Sequence, residues 1–287
     1  MFRLPNIQGT LPNKEAEDYI FFSCDYDYFD RYGYALAQSI NRTLSWMHVH
    51  CHVIDEGNMN KEVLDTMSKN YNFTYSFEEI NEGFYESLAK NNKRMKEGMN
   101  IFKTKDLNFI ARKTYLASAR FMRLSQLFKH NHQYVLQLDC DTVLKNGFHQ
   151  ADFRDLTMHV SVMPKPKDPA VFIASAICLG TGQNGVMFRD LFSSRMIEAF
   201  EKPIYWYVDQ DVLKAVMSEW KNKLHKEYGH IPYKWVPWGL KKEDIFMTGK
   251  GSKKEDKRFK SAQLHWLPDH WQEKIFREIR SLDTRSE

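Results

Sequence analysis

The stretch that most restricts the fold is Tyr134-Val-Leu-Gln-Leu138, an apolar run that ends in Asp139-Cys140-Asp141. A strand buried on both faces reads as a near-continuous apolar run, and strand geometry points residues i and i+2 the same way. Two carboxylates set side by side at the tip of a buried strand are costly unless something neutralises them. As hard oxygen ligands they suit Mg2+ or Mn2+ shared with phosphate oxygens better than zinc. The competing reading is a pair of solvated turn acids.

The flanking chain alternates strand-like and helix-like patterns. Residues 19–24 (Tyr-Ile-Phe-Phe-Ser-Cys) read as a first buried strand, followed by the acidic and aromatic turn Asp25-Tyr-Asp-Tyr-Phe-Asp30 and a helix over about 31–44. Residues 47–53 alternate as a second strand, with Met47, Val49, Cys51 and Val53 on one face and His48, His50 and His52 on the other. Three histidines at that period form a metal-ligand pattern, but they also suit a face lying under a covering helix or in solvent. Residues 61–70 read as a helix, 72–77 as a third strand and 107–129 as a long helix leading into the Asp139 strand. Residues 160–163 and 170–179 read as strands. Residues 181–188 form a glycine-bearing turn into a short strand, and residues 190–201 a helix. Such alternation implies an α/β fold with a mostly parallel sheet and helices on both faces, ligands binding outside the carboxyl ends of the strands. Asp25, Asp27 and Asp139 all belong to that edge.

With 287 residues and no Pro/Gly-rich linker, the chain reads as an N-terminal arm over 1–18 and one domain over 19–287. A net charge of +4 is too small to argue for nucleic acid by itself. The four cysteines, Cys24, Cys51, Cys140 and Cys178, have no CxxC spacing and read as reduced, buried thiols. There is no signal-peptide pattern at the start and no transmembrane segment, so a cytoplasmic protein is expected. The basic, glycine-spaced stretch 249–260 reads as a solvated loop, or as a lid whose lysines meet phosphates.

Taken together these residues resemble the GT-A glycosyltransferases, and in particular the glycogenin-like and lipopolysaccharide-galactosyltransferase-like retaining enzymes, family 8. The resemblance covers roughly residues 19–271. It implies that Ser23, Asp25, Asp27, Tyr28 and Cys140 line the nucleotide, and that Arg123, in Phe121-Met-Arg-Leu124, reaches the donor. It implies that Asp139, Asp141 and His265 hold the metal, Mn2+ or Mg2+. Asp209-Gln-Asp-Val-Leu213 matches a family motif residue for residue and makes Asp209 and Gln210 catalytic candidates. The family's Asn-x-Gly-Val turn is matched by Gln183-Asn-Gly-Val186, so Gln183 would lie under the sugar. Leu267-Pro-Asp-His-Trp271 replaces the family's usual lysine after the histidine, leaving Lys250, Lys253, Lys254, Lys257 or His270 to meet the diphosphate.

The function expected on this basis is transfer of a hexose from a nucleoside diphosphate sugar, a UDP-sugar first, to a saccharide or other hydroxyl acceptor, with retention. The rivals are a sugar nucleotidyltransferase, which would carry a glycine-rich basic loop after the first strand, and a non-catalytic protein binding acidic polymers through lysine-rich loops.

Overall fold

The computed structural model describes residues 2–81, 83–90, 103–165, 168–237, 240–249 and 251–283. Among the described residues ten strands build two sheets. The larger has β1 (Gln8–Gly9), β2 (Asp18–Asp25), β3 (His48–Asp55), β4 (Phe73–Glu79), β5 (Tyr134–Leu138), β7 (Val160–Lys165), β8 (Asp168–Leu179) and β9 (Gly229–His230), in the order β1-β4-β3-β2-β5-β8-β7-β9. The smaller pairs β6 (Thr142–Leu144) with β10 (Phe246–Thr248). Strands β4, β3, β2 and β5 run parallel, and β8 is inserted antiparallel between β5 and β7.

Alternation along the strands divides the core in two. Ile20, Phe22 and Cys24 of β2, with Val49, Cys51 and Val53 of β3, face Leu36 and Ile40 of the Tyr34–Thr43 helix. Tyr19 and Phe21 face the opposite way, toward Tyr115, Phe121 and Phe128. The Leu107–Met122 helix supplies much of that second layer. It starts where the Asp106 carboxylate accepts from the amides of Asn108 and Phe109, satisfying donors a helix start leaves open.

The histidine face of β3 is covered by protein. His50 bonds Thr74 and Ser76, and His52 bonds Ser76 and approaches Glu78 at 3.4 Å, so both rings belong to a buried polar layer. The arm joins the sheet: Gln8 and Gly9 pair with Phe77 and Ser76 of β4. Residues 182–188, expected as a turn into a strand, instead open the 19-residue helix Gly182–Phe200.

Candidate active site

The parallel strands bring their carboxyl ends to one edge. Phe21 of β2 lies opposite Gln137 of β5, and Tyr28, in the turn that Asp25 caps just past β2, reaches Asp141. Asp139 follows the last residue of β5, and its amide donates to the Ser175 carbonyl of β8 at 2.9 Å. Asp141 sits just before β6; its carbonyl accepts from the Gly249 amide at 2.7 Å, tying it to the end of β10. Cys140 lies between them, buried, its thiol 3.7 Å from the Tyr28 carbonyl, and burial pushes that thiol well above its ordinary range.

Each carboxylate is met by a basic side chain. Arg120, on the Leu107–Met122 helix, donates to Asp139 Oδ1 and to the Ala174 carbonyl at 3.0 Å. Lys254 Nζ lies 2.8 Å from Asp141 Oδ2, touches the Tyr28 hydroxyl, and stands 4.7 Å from the centre of the Tyr28 ring. The Tyr28 hydroxyl also donates to Asp141 Oδ2 at 3.1 Å; burial and the neighbouring carboxylate hold that phenol in its protonated form. Asp25 caps the first turn after β2, accepting from the Tyr28 amide at 2.7 Å, and its other oxygen meets Arg112 at 2.7 Å. Arg112 also binds Glu56, at the end of β3. Burial raises the Asp25 carboxyl above its usual value, against the pull of the Tyr28 amide and Arg112, and burial lowers neighbouring Lys113.

Several expected site residues gather here: Asp25, Tyr28, Asp139, Cys140 and Asp141, with Ser23 buried two residues before Asp25 on β2 and its hydroxyl without a partner among the described residues. Asp27 lies at the rim, where Asn58 donates to it at 2.7 Å. Asp209 and Gln210 open the Val208–Asn222 helix. Trp220, near that helix's other end, packs on Phe188. Eleven residues at about 1.5 Å each put Asp209 roughly 16 Å along the helix from Trp220.

Three expected residues do not join them. Arg123 is 1% exposed and turned to the opposite layer, where it binds Glu78, Gln126 and the Pro5 carbonyl. The guanidinium beside Asp139 belongs to Arg120, one helical turn earlier. Gln183 is in the first turn of a helix whose Gly182 amide bonds Asn131, ahead of β5, so the five residues of β5 separate it from Asp139. His265 follows the Lys257–Leu264 helix rather than a strand; it is exposed, with its ring 4.6 Å from that of Trp266. Of the basic candidates for the diphosphate, Lys254 pairs with Asp141, His270 faces Asp30 at 3.4 Å, and Lys250 lies outside the described residues.

Residues that sequence reasoning missed include Arg120, Arg112 and the Ala174-Ser175 segment beside Asp139. Arg123, assigned from the resemblance, is the C-cap of the Leu107–Met122 helix, and Arg120 lies three residues before it within that helix. A cavity of about 390 Å3 between the Gln150–Thr157 helix and β9, lined by Asp152, Asp155, His230 and Lys234 among others, shares no residue with this site.

The chain matches no family model and no curated protein. Solved structures do match its fold. WbbM, a bifunctional glycosyltransferase, aligns at TM-score 0.53 with 14% identity over 93% of this chain and 52% of its own. Galactosyltransferase LgtC, solved with donor and acceptor sugar analogs, aligns at 0.51 with 14% identity over 89% and 99%. Glycosyltransferase GlyE of Streptococcus pneumoniae TIGR4 aligns at 0.54 with 13% identity over 94% and 64%. The fold is that of the GT-A glycosyltransferases. The chain spans about half of WbbM and under two thirds of GlyE, but nearly all of LgtC.

A divalent ion, which this fold often carries, can be tested against the donor set. Among the described residues no group of three His, Cys, Asp or Glu forms, so the three-ligand set with His265 is not assembled. Arg120 takes Oδ1 of Asp139, and Lys254 and Tyr28 take Oδ2 of Asp141. Oδ2 of Asp139 and Oδ1 of Asp141 have no partner among the described residues. Two such hard oxygens, with the other positions left to water or phosphate, fit Mg2+ or Mn2+.

Proposed function

We propose that this protein transfers a hexose from a nucleoside diphosphate sugar, a UDP-sugar in the first instance, to a hydroxyl of a saccharide or similar acceptor. The observation that carries the reading is the alternation of acid and base at the carboxyl edge: Asp139 and Asp141, each with one oxygen uncommitted, set between Arg120 and Lys254. Sugar transfer breaks the bond from the anomeric carbon to a phosphate oxygen and leaves negative charge on the diphosphate. A divalent ion on Asp139 and Asp141 would supply Lewis-acid stabilisation of that charge.

The chain's own residues do the rest. Arg120 and Lys254 hold fixed positive charge around the leaving group, where cations aimed at developing charge are worth most. Arg112 fixes Asp25 and Glu56 at the rim, so that the nucleoside meets positioned acceptors. Tyr28 offers an aromatic face beside them. Asp209 and Gln210 are assigned to the transferred sugar or the acceptor, and retention at the anomeric carbon follows from the resemblance. Four cysteines that are buried and free support a reducing, cytoplasmic setting.

A nucleotidyltransferase is disfavoured because β2 passes directly into the Tyr26–Tyr28 turn capped by Asp25, where that enzyme would need a glycine-rich phosphate loop. The deciding experiment is a thermal-shift screen of nucleoside diphosphates with and without Mn2+, followed by donor-hydrolysis assays on the best binder. A Mn2+-dependent shift with UDP that disappears in Asp139→Ala/Asp141→Ala is the expected result. Strong salt-dependent retention on heparin or DNA, with no response to UDP and Mn2+, would replace the enzyme with the polymer-binding reading.

A further inference from the structure

Lys254 stands where a cation for Asp141 belongs. Its ammonium is 2.8 Å from Asp141 Oδ2, in contact with the Tyr28 hydroxyl, and over the rings of Tyr28 and Tyr32 at 4.7 and 5.5 Å. A carboxylate and two aromatic faces make a box that stabilises one compact positive charge. The Asp141 side chain is 11% exposed and that of Lys254 25%, so their attraction is only partly screened by water.

The backbone that delivers the lysine is anchored on both sides. The Gly249 amide bonds Asp141, and a Cβ at Gly249 would come within 2.6 Å of Phe259 and 3.0 Å of the Lys254 stem. Lys254 itself lies in the single turn Gly251–Glu255. Beyond it, Asp256 caps the Lys257–Leu264 helix, Phe259 is fully buried, and Lys260 pairs with Glu255 and Glu278. Movement of the ammonium therefore falls to the flexible four-carbon stem.

We propose that Lys254 is a tethered cation that competes with a divalent ion for Asp141 and is handed over to the donor's diphosphate when the two bind together. This rests on the reading that Asp139 and Asp141 hold the ion. With no donor present, an incoming ion meets the like charge of the ammonium, so the ion alone binds weakly. When a nucleoside diphosphate arrives, its oxygens give the ammonium a new partner and clear Asp141. Ion and nucleotide thus raise each other's affinity, and the coupling is reciprocal. Lys254 is a positioning residue here: it sets the order and strength of binding at the metal carboxylates.

The test compares wild type with Lys254→Met and Lys254→Arg, reading Mn2+ binding from the loss of the free-ion EPR signal and UDP binding by calorimetry at zero and saturating Mn2+. In Lys254→Met, Mn2+ alone should bind on the order of tenfold more tightly than in wild type, UDP at saturating Mn2+ should bind more weakly, and the coupling factor should shrink. Lys254→Arg, which keeps the charge, should leave Mn2+ binding weak. Unchanged or weaker Mn2+ binding in Lys254→Met would overturn the proposal. Asp141→Asn separates the two layers of the argument. If it loses Mn2+ while Lys254→Met matches wild type, the hand-over fails and the metal reading stands; if it binds Mn2+ like wild type, both fail.

Discussion

The end of one helix, Arg120 inside it and Arg123 as its C-cap, makes two carboxylate–arginine pairs of opposite character. Arg123 meets Glu78 in the layer beneath the sheet, where the Tyr115 hydroxyl donates to the same carboxylate at 2.5 Å and His52 approaches it at 3.4 Å. Neither side chain of that pair reaches solvent appreciably. Arg120 meets Asp139, whose side chain is 18% exposed and keeps one oxygen without a partner among the described residues. Both pairs join the same chemical groups. The saturated, sealed pair serves the fold, while the unsaturated, accessible one can serve a ligand.

The largest effect should come from breaking the sealed pair. Glu78→Ala leaves Arg123 buried without its partner, and losing one member of a buried pair costs about 3–5 kcal/mol. At a few degrees per kcal/mol for a chain of this size, the thermal midpoint should fall by roughly 10 °C. Asp139→Asn, probed by the same melt, should leave the midpoint nearly unmoved; equal losses in the two variants would erase the distinction.

On donor turnover the ranking reverses. Asp139→Asn should lower the rate roughly a hundred- to a thousandfold, the scale of losing one charge-stabilising group. Steady-state hydrolysis of the preferred donor measures this, and activity near wild type would remove Asp139 from the site.

Acid should sharpen the contrast further. Burial lowers His50 well below its ordinary value and also lowers His52. Burial works against Glu78 ionising, but His52, Arg123 and Tyr115 outweigh it and bring the carboxyl down to about 2. All three groups bind protons more readily in the unfolded chain. Stability is therefore full above the ordinary histidine value of 6.5, begins to fall as pH drops through it, and falls again from 4.5 toward about 2 as unfolded Glu78 takes up its proton. Urea midpoints measured against pH should show both steps, and His50→Gln should flatten the first. The smallest effect is expected from Tyr28→Phe, which removes one hydrogen bond to Asp141: about 1 kcal/mol, or a several-fold loss in donor affinity by calorimetry.

Much of this was legible beforehand. The apolar runs of β2, β3 and β5, and the alternation that turns His50 and His52 away from Val49 and Cys51, are local patterns, and the structure follows them. Asp139 and Asp141 were legible as acids just past an apolar strand, and the structure sets each beside a basic side chain, Arg120 and Lys254. What failed depended on distance in sequence. β8 enters antiparallel beside β5, so Ala174 and Ser175 come to lie at Asp139, and no local pattern announces a pairing across some 35 residues. Gln183 was mistaken for a strand turn because its glycines, Gly182 and Gly185, suit a turn as well as a helix start; Gly185 in fact lies so close to the Gly180 carbonyl that a Cβ there would sit 2.4 Å from it. His265 was placed by motif order, and a helix end carries it to the surface. Lys254 was one of five basic candidates, and what selects it is its ion pair with Asp141, a contact the sequence does not announce.

That glycine has a use outside this molecule. Position 249 admits no side chain without displacing Phe259, and it stands five residues ahead of the lysine that reaches Asp141. A distant relative too diverged to align could be sought by that fingerprint alone: an Asp-x-Asp after an apolar strand, and far downstream a glycine and a lysine at this fixed interval.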